Sequence, residues 1–256
     1  MSAKPLQRLC GRIAIVTAST DGIGFAIAQR LAQEGAKVII SSRKDKNVQE
    51  AVSTLSKQGL DVKGLICHVS KAEDRKRLFE VARKSGGLDI LVSNAAVNPE
   101  AASVLDCSES SWDKIFDVNV KAAFLLAKEA LPLLRQSKAG RIIFISSIAG
   151  FQPFDLLGAY SVSKTALFGL TKAAAIQLAP DNITVNAVAP GIIRTKFSDV
   201  LTSTESAKEE VLSRVPLNRL GTPHDISGAV AFLASDDAAY LTGENIVIAG
   251  GMASRL

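Results

Sequence analysis

Cysteine, histidine and tryptophan are scarce: three, two and one among 256 residues. The cysteines, Cys10, Cys67 and Cys107, are odd in number, widely spaced and form no C-x-x-C pair. That excludes a disulfide framework and suits a reducing compartment. His68 and His224 stand alone, so no metal set is expected. No apolar run approaches the ~18 residues of a membrane-spanning helix, and no apolar signal core opens the chain. Neither sign of charge is concentrated. Thirty Lys and Arg oppose 25 Asp and Glu, a net charge of +5, and the two signs interleave, as in Glu73-Asp74-Arg75-Lys76-Arg77. Such a surface points to neither nucleic acid nor a membrane as partner.

Apolar residues are plentiful, at 47% of the chain, enough for one full core. They fall into short β-rich runs at Ile13–Val16, Lys37–Ile40, Asp61–Cys67, Leu88–Val92, Arg141–Ile145, Thr184–Val188 and Asn245–Ile248. Helical periodicity lies between them, notably over Gly22–Glu34, Ser110–Arg135, Gly158–Leu178 and Pro223–Ala234. Continuous apolar runs alternating with helices mark parallel strands buried on both faces. The expected fold is α/β: a single Rossmann-type domain over 1–256, with a seven-stranded, parallel, doubly wound sheet and helices on both faces. Residues 192–220 lack clear periodicity, apart from a short helix at Ser206–Arg214, and read as a substrate lid.

Between the first strand and first helix lies Thr17-Ala18-Ser19-Thr20-Asp21-Gly22-Ile23-Gly24. Glycines there admit a pyrophosphate close to the backbone, and the helix N-terminus supplies N–H donors. Alanine at 18 requires a negative φ if it is to be unstrained. The second strand runs into Ser42-Arg43-Lys44, where NAD-binding sheets carry an acid for the ribose 2′-hydroxyl. A guanidinium instead attracts a 2′-phosphate with paired donors, so NADP(H) is the expected cofactor.

Tyr160 and Lys164 are four apart on one expected helix and share a face. Ser147 ends the fifth strand thirteen residues earlier, and Asn119 precedes it. Hydride addition to a carbonyl makes an alkoxide that needs a proton. A free phenol titrates near pH ~10; an adjacent ammonium is expected to lower that value, making Tyr160 an acid in reduction and a base in oxidation. Ser147 would hydrogen-bond the substrate oxygen.

Glycine turn, Asn119, Ser147, and Tyr160 with Lys164, in this order over nearly the whole chain, resemble the short-chain dehydrogenase/reductase family, with Ala18 in place of that turn's first glycine. The resemblance implies further roles. Lys164 would hold the nicotinamide ribose, and Asn119 a water that relays protons from Lys164. His68 and Val69 would lie by the adenine, where the family usually has an acid before the valine. Asn94 and Ala95 would flank the adenosine ribose, with Ala96 in place of a glycine. Pro190, Gly191, Ile193 and Thr195 would bind the nicotinamide carboxamide and a phosphate.

Phe151, Phe154, Leu156 and Leu157 precede Tyr160, and Phe197 begins the lid. This apolar wall suits bulky ketones better than sugars. A 3-oxoacyl thioester reductase shares every motif above, and a cofactor-sensing regulator without turnover is a reading of another class. The glycine turn, Ser42-Arg43-Lys44, Cys67-His68-Val69 and the tail Ser254-Arg255-Leu256 together resemble a branch of carbonyl reductases within the family. That likeness implies a homotetramer acting on retinal, aromatic ketones and α-dicarbonyls. Apolar helix positions Trp112, Ile115, Phe116, Val120, Phe124, Leu167, Leu170 and Ala174 also suggest a partner subunit. The tail matches a peroxisomal address read by an import receptor. Met252–Leu256 would then be exposed, and peroxisome is expected over cytoplasm.

Overall fold

The computed structural model describes residues 7–196, 198 and 204–254. Seven strands form one parallel sheet in the order β3-β2-β1-β4-β5-β6-β7. They are β1 (Ile13–Val16), β2 (Lys37–Ser42), β3 (Val62–Ile66), β4 (Ile90–Ser93), β5 (Gly140–Ile145), β6 (Ile183–Pro190) and β7 (Asn245–Ile248). The order reverses beside β1, which pairs with β2 on one side and β4 on the other. Ligand clefts in such sheets open at this switch point, beyond the carboxyl ends of the strands.

The central strands are apolar on both faces because helices cover both. One face packs against α3 (Ala72–Ser85), α5 (Ala122–Leu134) and α6 (Gly158–Leu178), through Leu78, Leu126 and Phe168. The other packs against α1 (Gly22–Gln33), α2 (Asp45–Ser56) and α8 (Pro223–Ala234), through Ile27, Leu55 and Val230. Ile15 and Leu91 are fully buried, each contributing about 1.5–3 kcal/mol by burial. The edge strand β3 is instead buried at Val62 alone and otherwise partly or fully exposed, since only β2 pairs with it.

Helix ends follow local chemistry. Asp21 caps α1 by accepting from the Gly22 N–H at 2.8 Å, and Gly86 closes α3 in a left-handed conformation. Thr222 and Asp225 form a reciprocal capping box on α8, with Pro223 in its first turn.

Two departures from the sequence pattern shape the cleft. Strands β2 and β6 run to Ser42 and Pro190, beyond the apolar runs that announce them, and so carry both residues to its rim. The expected continuous helix over Ser110–Arg135 is divided. α4 (Glu109–Phe116) is followed by a π-helical turn over Asp117–Lys121, then by α5. Such bulges accompany functional sites, and Asn119 sits inside this one. A short α7 (Glu205–Ser213) lies in the 192–220 segment.

Candidate active site

The glycine turn is braced from β4. Asn94 Nδ2 donates to the carbonyls of Thr17 and Ala18, at 3.0 Å each. Thr17 Oγ1 accepts from the N–H groups of Asn94 and Ala95. Ala18 has φ +50°, correcting the expectation of a negative angle. The peptide is turned so that the Ala18 carbonyl meets Asn94, and alanine bears about 1–2 kcal/mol of left-handed strain for it. A Cβ on Gly24 would overlap that carbonyl and stand 2.5 Å from the Asn94 amide. Glycine at 24 thus keeps helix and turn close enough to expose the N–H groups that open α1. Ser19 is buried, its hydroxyl donating to the Val16 carbonyl and accepting from the Ser41 N–H. Its side chain therefore holds the turn rather than facing the cleft.

Two cavities meet at this turn. One, of about 290 Å³, is lined by Gly22, Ile23, Ser147, Tyr160, Lys164 and Thr195, with Phe154, Leu157 and Ile192 on its apolar side. The other, of about 150 Å³, is lined by Thr20, Ser42, Arg43, His68, Val69 and Ala95. Ala18, Asp21 and Ala96 border both. This bipartite groove at the switch point, with a helix N-terminus at its waist, fits a dinucleotide with its pyrophosphate over Gly22–Gly24. Lys44 borders neither cavity; it is exposed at the start of α2.

Across the waist, Lys196 pairs with Asp21 Oδ2 at 2.6 Å, and the ammonium holds the Asp21 carboxyl below its usual range. Thr195 stands against Gly22. Ile193 is buried and bridges to Gly221. Pro190 and Gly191 also line the larger cavity. The 192–220 segment is thus fastened at both ends, and Lys196 is a contributor that the motif pattern does not reveal.

Ser147, Tyr160 and Lys164 converge at the inner end. The Ser147 and Tyr160 hydroxyls share a hydrogen bond, and Ser147 Oγ also accepts from the Ala149 N–H at 3.1 Å. Lys164 Nζ lies 5.4 Å from the Tyr160 ring centre and donates to the Ile145 carbonyl at 2.8 Å. Burial lowers the Lys164 pKa to about 7. Burial also raises the Tyr160 pKa, and Ser147 offsets this only in part. The phenol is thus shifted upward rather than in the expected direction, by burial opposed by the Ser147 hydrogen bond.

Asn119 is buried. Its amide donates to the Val97 carbonyl and to Ser163 Oγ, and its Oδ1 accepts from the Val97 N–H. Ser163 in turn donates to the Tyr160 carbonyl at 2.6 Å. The π-helical turn and α6 are thereby locked together. Ser163 was not among the expected residues, although its place beside Lys164 is a visible hint.

Phe154 and Leu157 line the pocket as expected, but Phe151 does not. It turns back into the core and stacks on Phe168, ring centres 4.1 Å apart. Phe197 lies outside the described residues, as do Arg255 and Leu256. Met252 is buried with Ile148 and Val215, so exposure of the tail cannot begin there; apolar contact ties it to the domain. Among the described residues no His, Cys, Asp or Glu cluster could hold a metal, and no helix is long and apolar enough to cross a membrane.

A family model described as enoyl-(acyl carrier protein) reductase matches residues 17–253. "Dehydrogenase/reductase SDR family member 4" of Sus scrofa is 53% identical over 99% of this chain and 90% of its own length. The chain belongs to the short-chain dehydrogenase/reductase family. The human protein of the same name is also 53% identical, over 97% of this chain and 90% of its own. "Tropinone reductase-like 3" of Erythroxylum coca is 52% identical over 98% and 96%. A solved structure of a putative NAD(P)-dependent gluconate 5-dehydrogenase from Beutenbergia cavernae, with bound NADP, superposes with TM-score 0.91. It is 32% identical over 96% of this chain and 98% of that one. This short-chain dehydrogenase/reductase is an oxidoreductase of CH–OH and C=O groups using NAD(P).

Proposed function

We propose that the chain is an NADPH-dependent reductase of apolar ketones, aldehydes, α-dicarbonyls or retinal, and the corresponding alcohol dehydrogenase in reverse. The observation that carries this reading is the meeting of Ser147 and Tyr160 with Lys164 at the closed end of a cavity walled by Phe154, Leu157 and Ile192.

A dinucleotide held in this groove would contribute the hydride chemistry. Ser147 holds the substrate oxygen, and Tyr160 gives it a proton as alkoxide character develops, or takes one in oxidation. Lys164 binds the nicotinamide ribose, and its ammonium opposes the burial that keeps the phenol protonated. Asn119 has both amide N–H groups engaged, which leaves Oδ1 and the carbonyl oxygens of its π-helical turn to hold the relay water. Apolar walls exclude solvent from the proton transfer. Arg43, exposed at the rim of the smaller cavity, takes the 2′-phosphate.

The test is a turnover panel with NADPH. Faster reduction of aromatic ketones and retinal than of acetoacetyl thioester supports the proposal; the opposite order favours the 3-oxoacyl thioester reading. Cofactor binding with no turnover of any carbonyl would leave a sensor.

Assembly and location complete the proposal. Ile115 and Leu167 are buried within the chain, whereas Phe124 is 46% and Ile176 80% exposed. The apolar surface offered to other subunits of a tetramer is therefore smaller than the sequence pattern suggests and includes Ile176; light scattering that gives a monomer would refute assembly. Ser254 is partly exposed, consistent with Ser254-Arg255-Leu256 as a peroxisomal address. A reporter bearing the last dozen residues should enter peroxisomes, and the chain lacking the tripeptide should not.

A further inference from the structure

The smaller cavity ends on residues 67–69, just beyond β3. Two bonds shape this turn: the Cys67 N–H donates to the Ser42 carbonyl at 2.9 Å, and the His68 N–H to Asp74 Oδ2 at 2.8 Å. The His68 ring bonds within the turn as well, its Nδ1 accepting from the Ser70 N–H at 3.3 Å. A neutral imidazole whose Nδ1 accepts carries its proton on Nε2. Burial, followed by Lys114, Arg43 and Lys71, lowers the His68 pKa and favours that neutral form; Asp74 opposes the shift. Nε2–H is then a donor on the opposite edge of a ring that lines the cavity. The adjacent Val69 N–H has no acceptor among the described residues, so it adds a second donor.

No carboxylate in the lining is free, and the Thr20 and Ser42 hydroxyls can donate or accept and so favour neither kind of group. Asp21 is the carboxylate that lines this cavity, and its oxygens hold the Gly22 N–H and Lys196. Asp74 spends one oxygen on the His68 N–H and the other on Arg77 at 2.6 Å.

We infer that His68 makes this a subsite that reads a purine without a dedicated acceptor, so that an amino group at purine C6 is not selected. Adenine offers N1 as an acceptor, but its 6-amino group is a donor and meets no dedicated acceptor there. Hypoxanthine exchanges the two roles, with O6 accepting and N1–H donating, so each purine offers one acceptor to the His68 and Val69 donors. The enzyme should therefore use the hypoxanthine analogue of its cofactor nearly as well as the natural one. The inference rests on the cleft being the dinucleotide site.

The experiment compares kcat/KM and fluorescence-measured Kd for NADPH and reduced nicotinamide hypoxanthine dinucleotide phosphate. In the wild type the two values of kcat/KM should agree within about threefold. His68→Asp supplies a charged acceptor and should favour the adenine cofactor by about tenfold or more, as expected for a hydrogen bond to a charged group. His68→Asn, with a neutral amide oxygen, should move the ratio the same way by less, and it decides the matter if the Asp variant does not fold. A wild-type preference for NADPH of about tenfold or more would overturn the inference. So would an unchanged ratio in both acceptor variants; an equal loss with both cofactors in His68→Ala would then identify the ring as a stacking platform. If neither dinucleotide binds, the reading of the cleft falls too, whereas binding with the wrong ratio defeats the His68 inference alone.

Discussion

The two ends of the cleft are built by opposite means. At the inner end, Tyr160 and Lys164 are buried, Ser147 bonds Tyr160, and Asn119 and Ser163 lock the surrounding elements. At the outer end Arg43 is exposed on the rim, and at the waist Asp21 and Lys196 pair in solvent. Chemistry that needs a defined proton position is placed where desolvation sets protonation states. Recognition of a charged group is left to side chains that water can reach. The difference teaches that substitutions at the inner end should act on rate and on buried ionisation, while those at the outer end should act on choice between cofactors.

The largest effect is expected at Tyr160. Tyr160→Phe keeps the ring and removes the proton carrier, so kcat should fall by about 10²–10⁴ or more, with NADPH Kd changed less than about threefold. Comparable losses in kcat and in binding would break the division between the two ends. Arg43→Asp should be smaller and of a different kind. Loss of a paired guanidinium contact and gain of a repelling charge should cut kcat/KM for NADPH by about 10- to 100-fold while that for NADH holds or rises. A preference for NADPH that survives this change would move phosphate recognition to another basic residue.

Burial of Lys164 predicts a pH dependence of folding without cofactor. Its pKa is about 7 in the native protein against 10.5 for the free side chain. Between these values the unfolded chain holds a proton that the native chain has released, so native stability rises with pH. The slope approaches on the order of 1 kcal/mol per pH unit. Tyr160, raised above its free value of 10, acts oppositely only beyond that pH. Urea midpoints at pH 7 and 9 should therefore increase in the wild type and level off in Lys164→Met; the same slope in both proteins would assign it to other groups. The smallest effect belongs to the strained turn at the waist. Ala18→Gly should be neutral or stabilise by up to about 1 kcal/mol, because relief of left-handed strain is partly offset by glycine's greater freedom when unfolded. A melting temperature lowered by several degrees would show that the Ala18 methyl makes a contact outweighing its strain.

All seven strands were legible as apolar runs, though the ends of the buried strands β4, β5 and β6 lie one to two residues from those read. Ile13–Val16 stands as read, as does Asn245–Ile248 at the edge of the sheet, and Lys37–Ile40 fell short only at Ser41 and Ser42. Those two are polar, so periodicity gave no sign that the strand continues through them to the cleft. The division of Ser110–Arg135 was hidden for a related reason. The residues of the π-helical turn fit helical periodicity, and the turn is held by partners at Val97 and Ser163, 22 and 44 positions away.

By itself the sequence determined which side chains could do the chemistry: a phenol and an ammonium four apart on a helix, a serine at a strand end, glycines between the first strand and helix. Spacing suffices for this because helix and strand geometry are local. The tertiary structure alone decided what those groups experience. It put Ala18 in the left-handed region, turned Phe151 into the core, buried Met252, and moved the ionisation of Tyr160 and Lys164 in opposite directions. Each of these outcomes depends on neighbours distant in the chain and on exclusion of water, and neither quantity is carried by residue order along one element.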